Sequence, residues 1–70
     1  MLKGLVEVFN EHRGDGLIRT REGEALYFHC VNIADGSRNI ALGAVISARR
    51  DVGRLGYDEA VAIVKEAQLD

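Results

Sequence analysis

Apolar and polar residues alternate in short blocks along this chain, and turn-forming residues close each block. Leu2 to Phe9, rich in Leu, Val and Phe, reads as a first strand. The stretch "EHRGD" is a turn. Gly16 to Arg21 gives a second strand, with Ile18 and Thr20 opposed to Leu17, Arg19 and Arg21. A tight turn around Gly23 leads to a third strand, Ala25 to Cys30. There Leu26 and Phe28 point one way and Tyr27 and His29 the other, the pattern of a half-buried sheet. Val31 to Leu42 is a longer loop with "ADGSRN" as its turn chemistry. Ala44 to Arg50 is a fourth strand, in which Ala44, Ile46 and Ala48 alternate with Val45, Ser47 and Arg49. "DVGRLG" forms another turn. Val6, Phe9, Ile18, Leu26 and Phe28 are the expected core, with Cys30 a packed thiol.

The last segment, "YDEAVAIVKEAQLD", carries two conflicting signals. Asp58 can cap a helix, Ala, Glu, Lys and Gln are good helix formers, and Val61, Val64 and Gln68 fall at helical spacing. Equally, "AVAIV" is a short buried strand. A helix would make an α+β domain. A fifth strand would close a small barrel and remove its exposed edges.

Composition narrows the class. With 70 residues the chain is expected to be one domain, residues 1–70, and a domain this small buries only about 60% of its unfolded surface. The single cysteine allows no internal disulfide. One thiol and two histidines, His12 and His29, do not have the spacing of a zinc site, so no metal or cofactor is expected. No apolar run reaches the roughly 18 residues of a membrane span, and "MLKGLVEVFN" has no secretion-signal core. A cytoplasmic protein with no membrane partner is expected. The net charge of −2 argues against a polycation that coats nucleic acid, but a local basic patch on an acidic domain is enough for binding. Arginine outnumbers lysine seven to two, and arginine both stacks on bases and pairs with phosphates.

Candidate chemistry centres on Arg13-Gly14-Asp15-Gly16-Leu17-Ile18. A ribonucleoprotein motif places a basic residue and glycine before an aromatic, a small residue, a second aromatic and Val. Here the basic residue, both glycines and the β-branched end are present, and Asp15 and Leu17 stand at the aromatic positions. The order and spacing of "GLVEVFNEHRGDGLI", "EALYFHCVNI" and "DGSRNIALG", ending near Gly53-Arg54-Leu55-Gly56, resemble the cold-shock domain family over about residues 2 to 56. That resemblance implies an all-β fold, a five-stranded antiparallel OB-fold barrel, and makes the terminal segment a strand. It also implies binding of single-stranded RNA or DNA by base stacking on one sheet face.

The departures from the family bear on function. The family has tryptophan where this chain has Val8, and phenylalanine at Asp15, Leu17, Cys30 and Ser37; Tyr27 keeps a ring and His29 is retained. A base stacked on an aromatic is worth about 1–3 kcal/mol, so losing three platforms removes roughly 3–9 kcal/mol if the effects add. Asp15 also brings a negative charge to where phosphates would pass. The binding site implied by the resemblance comprises Val8, Asn10, Asp15, Leu17, Tyr27 and His29. Arg13, Arg19, Arg38 and Arg54 line the same face or its rim and supply guanidinium stacking and phosphate contacts. The expected binding is weak and salt-sensitive, by a monomer. The plain alternative is that Tyr27 is a surface ring and the arginines are solvated strand charges. A second alternative is a binding face converted to hold a protein partner, with Val8 and Leu17 as a small apolar patch.

No enzyme is expected. Gly14-x-Gly16 lacks the third glycine and following helix of a dinucleotide loop, and the Lys-Ser/Thr of a phosphate loop is missing. Arg13-Gly14-Asp15 matches an adhesion tripeptide, but three residues recur by chance. The carboxylates are scattered over expected turns, with no apolar pocket to raise a pKa.

Overall fold

A computed structural model describes residues 1–53 and 57–66. Five strands account for most of them: β1 (Leu2–Asn10), β2 (Asp15–Thr20), β3 (Ala25–His29), β4 (Val45–Val52) and β5 (Asp58–Lys65). A short 3-10 turn, Cys30–Asn32, follows β3. The strands close into a barrel in the order β1-β2-β3-β5-β4, an all-β, OB-fold-like architecture.

The expected antiparallel barrel is corrected at one junction. β1 pairs antiparallel with β2 and β4, β2 with β3, and β4 with β5, but β3 and β5 run parallel. The reason is parity. Alternating directions around a closed ring require an even number of strands, and this ring has five. The parallel junction is also the thinnest. Among the described residues it holds one strand pairing, Tyr27 with Glu59, supported by an isolated bridge between Ile33 and Ile63 and by Ala34 N–H donating to the Ile63 carbonyl at 2.7 Å.

Two bulges shape the barrel. In β1 the partners step from Val6–Ile18 to Val8–Leu17, so Glu7 is the extra residue. The phase of β1 flips there: Val6 is buried, Glu7 and Val8 both face out, and Phe9 turns inward to stack on Phe28, with ring centroids 5.9 Å apart. In β5 the pairing steps from Arg49–Val61 to Ser47–Val64, and Ala62 takes a left-handed φ of 52°. Ala60 and Ile63 both point inward as a result, three residues apart. The same reset leaves Val61 and Val64 three apart and outside the core, which is the spacing that mimicked a helix.

The core is Val6, Ile18, Leu26, Phe28, Ile33, Ile40, Ile46 and Ile63 with the small residues Ala48 and Ala60 and the thiol of Cys30. The inward residues read from β2, β3 and β4 are buried: Ile18, Thr20, Leu26, Phe28, Ile46 and Ala48. In β4 the alternation is broken at Ser47, read as facing outward, which is buried too and donates its hydroxyl to Glu66 Oε2 at 2.6 Å. Phe9 is at the core's margin, only partly buried. Gly14 and Gly16 at this end of the barrel are closely hemmed in. Gly14 turns the chain at φ 72° with Cys30 Sγ 2.9 Å from where a Cβ would stand, and a Cβ on Gly16 would run into the Val8 carbonyl.

Candidate nucleic-acid interface

The outward side of β1, β2 and β3 carries the expected binding residues. Register aligns Val8 with Leu17 and Leu17 with Tyr27, so the three form one cross-strand row. Val8 is 46% exposed and Tyr27 39%, with Leu17 half-buried between them. Asp15 pairs with His29 one step nearer the β1–β2 turn. Sheet alternation thus brings Val8, Asp15, Leu17, Tyr27 and His29 onto one face.

Hydrogen bonds determine what that face offers. Tyr27 donates its hydroxyl to Asp15 Oδ2 at 3.0 Å, while Arg13 donates from Nε (3.1 Å) and Nη2 (3.0 Å) to Oδ1. Asp15 is only 8% exposed. Burial opposes its charge, but the hydrogen bonds from Arg13 and Tyr27 and the nearby positive charges outweigh that, and its pKa falls below the ordinary carboxylate value. Burial and the bond to Asp15 push the Tyr27 hydroxyl the other way, so it stays protonated. The charge expected to meet passing phosphates is therefore already answered by Arg13 and capped by Tyr27. The Tyr27 ring, tethered at its hydroxyl, is held in place as a plate.

Arg19 lies on the same strand but is occupied elsewhere. It grips Glu7 with two parallel bonds of 2.8 Å and donates to the Gly23 carbonyl at 2.9 Å. Glu7 follows buried Val6 and faces outward by ordinary alternation, on the same side as Arg19. Asn10 builds the turn: its Oδ1 accepts from Arg13 N–H at 3.1 Å and its carbonyl from Gly14 N–H at 2.8 Å. Arg54 lies outside the described residues.

Beyond the Asp15–His29 end of the face, the β1–β2 turn and the β3–β4 segment enclose an open cleft of about 460 Å³. Arg13, His29 and Arg38 line it, and so does His12, which the sequence reading had weighed only as a metal ligand. His12 sits in a turn without strand periodicity, so no face could be assigned to it from sequence. The β1–β2 face and this cleft meet at His29. His29 Nδ1 accepts from Val31 N–H at 3.2 Å. Among the described residues no group of three or more His, Cys, Asp and Glu side chains is placed to hold a metal ion, and no helix is long and apolar enough to cross a membrane.

No protein-family model matches the chain, and a search of curated proteins finds no match.

Proposed function

We propose that this barrel is a cytoplasmic, monomeric, non-enzymatic module of cold-shock type that binds single-stranded RNA or DNA weakly and with strong salt dependence. The observation that carries the reading is the Val8–Leu17–Tyr27 row on an OB-fold-like barrel, continuous at His29 with a cleft that holds Arg13 and Arg38. A fixed ring and an imidazole offer stacking surfaces, and nearby guanidinium groups offer phosphate contacts. Weakness follows from the missing rings and from the pairing of Arg13 and Arg19 with carboxylates.

Titration with short single-stranded DNA and RNA at low and moderate salt, followed by amide shifts, tests it. Shifts at Tyr27, His29 and Arg13 that fade with salt are expected, and none at high micromolar oligonucleotide would sink the reading. A restoring double variant, Val8→Trp with Asp15→Phe, is expected to tighten binding at least about tenfold, or roughly 1.4 kcal/mol. No gain in a folded variant would mean the face is not a nucleic-acid site.

One observation favours a second reading. With Arg13 and Arg19 internally paired, the row itself is nearly neutral and partly apolar, which suits a protein partner. A stoichiometric partner released by Leu17→Arg would favour that reading.

A further inference from the structure

We propose that the cleft between the β1–β2 turn and the β3–β4 segment is a phosphomonoester site, which seats the terminal phosphate of a single strand lying on the Val8–Leu17–Tyr27 row. The inference rests on the nucleic-acid reading for the strand, but not for the phosphate.

Three features carry it. First, donors converge from separate segments. His12 and Arg13 come from the turn after β1, His29 from the end of β3, and Arg38 from the loop before β4. Second, part of their donor capacity is not used within the fold. His29 Nδ1 accepts from Val31 N–H, so the neutral ring keeps its proton on Nε2. Arg13 uses Nε and Nη2 on Asp15, which leaves Nη1 to donate. Arg38 is exposed and, like Arg21 and Arg49, has no carboxylate partner among the described residues; of these three it is the one that lines the cleft. Third, the position is terminal. Asp15 and His29 are the last paired residues of β2 and β3 at this end, so a strand on the row runs off the sheet into the cleft.

The ligand class follows from the number and directions of the donors. Glu11 also lines the cleft and offsets one guanidinium for any phosphate, so the preference rests on acceptor oxygens rather than on net charge. A phosphomonoester carries about 1.5 to 2 negative charges near neutral pH and three acceptor oxygens for donors arriving from several directions. The volume accommodates a phosphate with part of its nucleoside.

The test uses the whole chain and three oligonucleotides of one sequence, carrying a 5′-phosphate, a 3′-phosphate or neither, with a nucleoside monophosphate and inorganic phosphate as separate probes. One phosphorylated form is expected to bind at least about fivefold tighter than the bare strand and to shift the His12 and Arg38 amides. His12→Gln, at an exposed position, is expected to abolish that difference and leave the Tyr27 shifts intact; Arg38→Gln is expected to abolish it too and to weaken the bare strand as well, while Glu11→Gln is expected to widen it. Equal affinity for all three strands, with shifts along the row, overturns the phosphate site and leaves the nucleic-acid reading standing. A monophosphate that shifts His12 and Arg38, with no response to any bare strand, does the reverse. No shift at the cleft with any phosphate probe overturns the site outright.

Discussion

Asp15 holds the two groups with which the face would greet a ligand, the Tyr27 hydroxyl and the Arg13 guanidinium. Its removal therefore has two effects of opposite sign. Its pKa is lower folded than unfolded, so the ionised carboxylate stabilises the fold above the unfolded value of about 3.9, and that contribution is lost as pH falls through the folded value. Asp15→Asn is expected to melt below the parent at neutral pH, with the gap narrowing below about pH 4; thermal melts across pH check this. The same variant frees Arg13 and is expected to bind oligonucleotide more tightly in the titration described above. Gly16 is a purely structural counterpart. A Cβ there would stand 2.9 Å from the Val8 carbonyl carbon and 3.0 Å from Phe28 Cε1. Gly16→Ala is expected to cost about 1–3 kcal/mol in urea unfolding. Both glycines of the Arg13–Gly16 stretch were legible as turn and framework residues. The clamp on Asp15 was not, because a contact between residues 15 and 27 needs the register of two strands.

At the scale of elements, alternation made β2 and β3 legible, since each buries one face, and it served in β1 and β4 despite the phase flip at Glu7 and the buried Ser47. It failed at β5 for a local reason. The bulge at Ala62 inserts one residue, and the inward positions Ala60 and Ile63 then stand three apart. Local signals there allowed a helix and a strand alike, and the resemblance to a known family decided for the strand. The strain itself is testable. Alanine in the left-handed region costs about 1–2 kcal/mol that glycine does not, less the backbone entropy glycine loses on folding. Ala62→Gly is expected to be stabilising by about 0.5–1 kcal/mol and Ala62→Val destabilising, both measured by denaturant unfolding. The Glu7 bulge has a different consequence. It keeps Val8 outward, in the row with Leu17 and Tyr27, and turns Phe9 in, while Glu7 beside it holds Arg19, an arginine expected to meet phosphates.

For the molecule as a whole, cohesion is uneven around the ring. β1 with β2 and β4 with β5 share long ladders, whereas β3 and β5 share one pairing. Arg50 braces that side from without, joining Glu24 ahead of β3 to Asp58 at the start of β5. Exposed pairs of this kind are screened by salt and contribute little. Hydrogen exchange is expected to show the Ala34 amide, which bonds to Ile63 across this junction, opening at lower free energy than the central amides of β1 and β2. Equal protection at both places would contradict the uneven cohesion. Closure of a barrel was expected only through the family resemblance that makes the last segment a strand, and the parallel pair was not read at all, although an odd number of strands in a closed ring requires one. Which pair it would be depends on how the long segment after β3 crosses the barrel, and alternation carries no record of that.

The odd strand count also limits redesign. No substitution within five strands can turn the β3–β5 junction antiparallel; only the gain or loss of a whole strand can. Engineering for thermal tolerance therefore has one natural target. A covalent or apolar staple from β3 to β5 would add cohesion where the backbone supplies least, whereas the β1–β2 ladder already holds six residue pairs.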